Sequence, residues 1–140
     1  NELEKKIGPE TCQAIMENCG RACYAGSHGP RPKGGQSPDK AAAFLDRLRK
    51  SLGKDAVQVS EDATVIHYKY PQEPGTDRPR CFCPVFEADA AGVSPVYCLC
   101  STGYVKETFE RNLGGRVQVE VLKSVLRGGS GCEFRVTVLS

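Results

Sequence analysis

Two Cys-x-Cys pairs, Cys81/Cys83 and Cys98/Cys100, are the residues of this chain whose type and spacing could do the most specific chemistry. The other four of its eight cysteines are Cys12, Cys19, Cys23 and Cys132. Residues i and i+2 of a strand share a face, so Cys81 and Cys83 would leave their backbone on one side. If Cys98 and Cys100 approach that side, four sulfurs can surround a tetrahedral ion at a metal–sulfur distance of about 2.3 Å. A thiolate set selects zinc or an iron–sulfur cluster over hard cations. Zinc is the expected metal and the cluster its alternative. Cys132 sits on the inner face of a predicted strand and can replace Cys100, so the candidate set is Cys81, Cys83, Cys98, Cys100 and Cys132. Cys19 and Cys23, one helical turn apart, form a secondary metal pair, with Cys12 beside them. Their bland reading is core, because Ile15 and Met16 fall on the same stripe.

An even number of cysteines also permits disulfides. At 140 residues, however, the chain can bury a core without covalent staples. Cα atoms at i and i+2 of a strand are about 6.6 Å apart, near the upper limit of disulfide geometry. Bridges within either pair are therefore disfavoured, while cross-strand bridges between the pairs stay open. The expected state is reduced thiols in the cytoplasm, bound to metal or packed as small apolar groups. The first residue is Asn1, with no secretory apolar segment after it, and a removed leader is left open.

Charged residues make up 26% and apolar residues 39%, the balance of a folded water-soluble domain. The net charge is only +2 and the two signs are interspersed, which gives no support to a nucleic-acid partner. No apolar run reaches the roughly 18 residues of a membrane span. Acid–base machinery is sparse. His28 and His67 are the only histidines, no phosphate loop or dinucleotide fingerprint occurs, and no catalytic residue is assigned.

The elements that must position the thiols read as one domain, 1–140, of α+β class: an antiparallel sheet packed against helices in the order ααβββαββ. Residues 1–8 are expected to be an N-terminal tail. A helix runs from Pro9 to about Tyr24, and a Gly/Pro-rich loop, 25–37, follows it. Ser37 as N-cap, Pro38 at N1 and Gly53 after the end delimit the second helix, whose apolar stripe is Ala41, Phe44, Leu45, Leu48 and Leu52. Alternation then predicts strands at Val57–Val59, Thr64–Tyr70 and Cys81–Phe86, with a turn at Glu61-Asp62. Val96–Cys100 leads into a helix capped by Ser101 or Thr102, which ends at Gly114-Gly115. A hairpin closes the chain, with Val117, Val119 and Val121 on one face. Its alternation slips at Leu122, which predicts a bulge near Lys123 or Ser124.

Cys98, Gly103, Tyr104, Gly128 and Cys132 stand in a pattern of Cys, Gly-aromatic at a helix start, hairpin, Gly-turn and Cys-x-Phe. Over Cys98–Leu139 the chain thereby resembles the 4-vinyl reductase-like domains. Over more of its length it is similar to an uncharacterised cysteine-rich bacterial family with C-x-C-S-x-G and C-x-F endings. The first resemblance implies an α+β domain that holds a small organic ligand, often as a homodimer, and in some members binds structural zinc. It also implies zinc ligands at Cys98 and Cys132, with two more at positions that here hold Val121 and Ser124. Cys81, Cys83 or Cys100 would have to complete a rearranged site. The expected function is a non-enzymatic, zinc-binding small-molecule sensor or carrier. The alternatives are an iron–sulfur redox protein of an anaerobic cytoplasm and a small hydrolase with a cysteine nucleophile.

Overall fold

The computed structural model describes residues 2–31, 37–70, 98–124 and 132–139. Its elements are α1 (Glu2–Ile7), α2 (Pro9–His28), α3 (Pro38–Leu52), a 3-10 turn (Lys54–Ala56), β1 (Val57–Val59), β2 (Val65–Lys69), α4 (Cys98–Leu113), β3 (Val117–Lys123) and β4 (Glu133–Val138). The fold is α+β. Among the described residues, four antiparallel strands form one sheet in the order β1-β2-β4-β3. The predicted third strand, Cys81–Phe86, lies outside the described residues.

Side-chain periodicity explains most of these elements. In α3, Ser37 Oγ accepts from the Lys40 N–H at 3.3 Å and Pro38 occupies the first turn. Along β2, Ile66 and Tyr68 are buried while Val65, His67 and Lys69 are half-buried on the other face. β4 continues that pattern: Ile66 pairs with Val136 and Tyr68 with Phe134. The expected bulge is present, as a register shift between Val121 and Lys123 where β3 pairs with β4. The Glu61-Asp62 turn is closed by the Asp62 carboxylate, which accepts from Ser60 Oγ, Thr64 Oγ1 and the Thr64 N–H at 2.7, 2.8 and 3.2 Å.

The inner face of the sheet meets α3 and α4. Phe44, Val57, Ile66, Tyr68, Val105, Phe109, Val117, Val119, Phe134 and Val136 belong to one buried cluster. Phe109 is its centre, with its ring 5.6 Å from Phe44 and 5.3 Å from Tyr68, both edge-on. Each such buried side chain contributes about 1.5–3 kcal/mol through removal from water. That burial pushes the Tyr68 hydroxyl up to about 12.

Three expectations about the helices need correction. The N-terminal segment is helical over Glu2–Ile7 rather than a tail, and its partly buried Ile7 packs against Cys12 and Met16. α2 continues to His28, so residues 25–28 belong to the helix rather than to the loop; the His28 ring stacks on Tyr24 at 4.0 Å, one turn earlier. α4 runs from Cys98, so Cys98 and Cys100 occupy helical positions instead of preceding a cap at Ser101 or Thr102.

α2 packs along α4 at backbone contact distance. A Cβ on Gly20 would overlap the Cys100 carbonyl, and one on Gly103 would overlap the Glu17 carbonyl. Glycine is required at both places because nothing larger fits between the helices. Gly103 of the Gly-aromatic motif therefore has a packing role.

Candidate functional site

Cys98 meets Ser124 at the end of the sheet where β4 begins beside Cys132. Cys98, buried at the start of α4, directs Sγ to Ser124 Oγ at 3.2 Å. Ser124 follows β3 directly, and Cys132 precedes β4 directly. One step beyond the Lys123–Glu133 pair, these two residues therefore face each other across the ladder. Cys132 packs against the main core, and its carbonyl accepts from the Tyr70 N–H at 2.9 Å. One corner thus holds two thiols and a hydroxyl, supplied by the ends of three elements.

Residues 71–97 join Tyr70 to Cys98, and both of these belong to that corner. Cys81 and Cys83 lie on this connection, outside the described residues. Among the described residues, no group of three or more His, Cys, Asp or Glu side chains could hold a metal ion. The corner itself offers two soft donors, and a four-coordinate zinc needs two more.

Cys100 is turned elsewhere. On a helix, positions i and i+2 differ by about 200°, so Cys98 and Cys100 leave α4 on nearly opposite sides. Cys100 packs with Ile7 and Leu99 against Cys12 and Met16. Cys12 is a fully buried thiol in that apolar group. The expected α2 stripe is corrected in the same way. The buried residues advance in steps of four, Cys12, Met16, Gly20 and Tyr24, as expected of a ridge that crosses another helix. Ile15, Cys19 and Cys23 flank that ridge and are exposed.

An ionic cluster that the sequence did not announce joins α2 to α4. Glu107 and Glu110 each keep only 7% of the side chain exposed. Arg31 grips Glu107 with Nε on Oε1 and Nη2 on Oε2, both at 2.9 Å. Arg21 Nη1 bridges Glu107 and Glu110 at 2.7 and 2.6 Å, and Arg111 Nε reaches Glu107 at 3.0 Å. The Arg111 guanidinium also lies 4.8 Å from the centre of the Tyr24 ring. Hydrogen bonding from Arg31 is the main reason the Glu107 carboxyl is held down, to about 2. Burial alone would raise Glu110, but Arg21 and the Val117 N–H hold it below the usual carboxylate range. The cluster is a clamp, with Arg21 of α2 and Arg31, the residue after Pro30, fastened to two carboxylates of α4, and Arg111 of α4 itself completing the group. Apart from the local Arg111–Glu107 pair, its partners are 76–89 residues apart, which no local pattern reveals.

A cavity of about 450 Å³ lies between α2, the start of α4 and strands β3 and β4. Gln13, Thr102, Gln118, Glu120, Arg135 and Thr137 give it a polar lining. Leu99 and Val121 also border it, next to Cys98 and three residues before Ser124. Arg135 Nη1 and Glu120 Oε2 pair at 2.9 Å on its rim. On the outer sheet face, His67 Nε2 lies 3.4 Å from Glu133 Oε2. No helix among the described residues is long and apolar enough to cross a membrane.

Residues 54–140, more than half of the chain and including the whole sheet and α4, match a family of unknown function (DUF6144), and the chain belongs to that family. No curated protein matches it. Among solved structures, the chain is similar to a trafficking protein particle complex subunit 3 from Naegleria fowleri, covalently bound to palmitic acid. That likeness has a TM-score of 0.51 at 17% identity and covers 99% of this chain and 87% of the other. At this identity it speaks for the shared fold alone.

Proposed function

We propose that this member of DUF6144 is a zinc-binding carrier or sensor of a small organic ligand rather than a catalyst. Zinc is held at the sheet corner by Cys98 and Cys132, with Cys81 and Cys83 completing four thiolates. The observation that carries this reading is the approach of Cys98, Ser124 and Cys132 from three separate elements. The resemblance to 4-vinyl reductase-like domains supports it, because two of the ligand positions it implies, Cys98 and Cys132, are at that corner. Ser124 stands at a third, and its Oγ accepts from the Cys98 thiol. Thiolates kept available for a metal belong to a reducing compartment, so the proposed location is the cytoplasm.

The cavity lined by Leu99, Thr102 and Val121 is the proposed ligand site, of a volume common for small-molecule pockets. The similar trafficking subunit carries palmitic acid, which supports the use of this fold to hold a small molecule. Here the polar lining favours a ligand with hydrogen-bonding groups over a bare acyl chain. Leu99 and Val121 connect the two sites, since a metal that fixes the corner also fixes those walls.

Metal analysis of protein purified without oxygen tests the proposal. Zinc near one equivalent is expected, with loss of metal and of thermal stability in Cys98→Ser, Cys132→Ser and Cys83→Ser. Cys100→Ser should keep its zinc. Unchanged metal content and melting in Cys83→Ser would remove Cys83 from the site. Brown protein with iron and sulfide would replace zinc by a cluster. Metal-free protein with one hyper-reactive thiol would favour a cysteine hydrolase.

A further inference from the structure

We infer that Cys19 and Cys23 form a second metal site, separate from the thiol corner, that takes a soft monovalent ion such as Cu(I) in two-coordinate geometry. Both thiols are exposed on α2 and stand one turn apart, so solvent reaches them and their side chains emerge side by side. Helix geometry holds their Cβ atoms about 5–6 Å apart. A disulfide needs about 3.5–4.5 Å, so direct oxidation of the pair would require the helix to distort. An ion bridging two sulfurs spans about twice 2.3 Å, which side-chain rotation from those Cβ positions can meet.

Donor number selects the metal. Among the described residues, no third His, Cys, Asp or Glu joins the pair. Met16, the i−3 neighbour of Cys19, is buried against Cys12 and is not counted as a ligand. Zinc in a structural site takes four donors, whereas a soft ion matched to thiolate sulfur is satisfied by fewer. Each thiol gives up its proton on binding, so one Cu(I) enters, two S–Cu bonds form and two protons pass to the buffer. No electron is transferred. α2 is rigid at this point because Gly20, between the two cysteines, is pressed against α4, so the pair is held on a fixed backbone.

The test is an anaerobic Cu(I) titration of the zinc-loaded full chain against a chromogenic cuprous chelator. The parallel samples are Cys19→Ser, Cys23→Ser and the double variant. Wild type should bind one more Cu(I) than any of the three, and the three should be equal, since neither thiol suffices alone. X-ray absorption should find two sulfur neighbours around that copper. Circular dichroism of the variants should match wild type, because both side chains are exposed. Cys98→Ser should keep the additional equivalent, which separates this site from the corner. Equal copper in wild type and the double variant would overturn the inference, as would copper retained by either single variant. Three or four sulfur neighbours, or zinc lost on replacing Cys19 or Cys23, would overturn the two-coordinate assignment.

Discussion

Glu107 is the side chain on which the helix clamp depends, because removing it leaves three guanidiniums crowded around one remaining carboxylate. Replacing one partner of a buried ion pair strands the others, which costs about 3–5 kcal/mol. Glu107→Gln should therefore lower the denaturation midpoint strongly. Arg31→Ala should cost only about 1 kcal/mol, since Arg31 is 54% exposed and water solvates what remains. The pH dependence has a definite sign. Glu107 titrates near 2 when folded, against an ordinary value of 4.5. Its contribution is thus fully present above about pH 4.5 and disappears as the pH falls toward 2. Acid-unfolding curves of wild type and Glu107→Gln should converge in that window, and parallel curves would remove the clamp from the account. At the corner, Ser124→Cys adds a fifth sulfur to a set of four thiolates and should leave zinc at one equivalent, read by metal analysis.

Between elements, the approach of α2 to α4 decides the sign of two substitutions. Helix propensity alone would make Gly20→Ala and Gly103→Ala stabilising by about 1 kcal/mol. The overlap of either new Cβ with a facing backbone carbonyl reverses this, and overpacking should cost about 2 kcal/mol or more. Urea midpoints that fall for both variants are expected, and a rise for either would contradict so close a crossing. The α3 N-cap provides a smaller, independent measurement. Ser37→Ala should lose about 1 kcal/mol without altering metal content, because the bond it removes is the local cap within α3.

For the whole molecule, the sheet, α3 and α4 share one core around Phe109, so Phe109→Ala should cost about 3–5 kcal/mol and loosen every element together. The polar cavity and the thiol corner both draw residues from the start of α4 and from β3 or the residue that follows it. Chelation of the proposed zinc should therefore lower the melting temperature and weaken small-molecule binding in step. Thermal-shift measurements with and without chelator read both effects on one sample, and a chelated protein that melts unchanged would separate metal from fold.

Local pattern was enough for much of this protein. Ser37, Pro38 and Gly53 delimit α3, alternation orients β2, β3 and β4, and the slip at Leu122 marks the bulge between Val121 and Lys123. These features repeat at the period of the backbone itself, so they are legible without knowing any partner. Tertiary structure alone decided that Cys98 and Cys100 begin a helix and diverge, and that Cys98 meets Ser124 beside Cys132. It also decided that Glu107 and Glu110 are buried against Arg21 of α2 and Arg31 beyond it, and that Cys12 is buried while Cys19 and Cys23 face water. Each of these depends on which surface a distant segment covers, and a helix or strand pattern carries no record of the neighbour that packs against it.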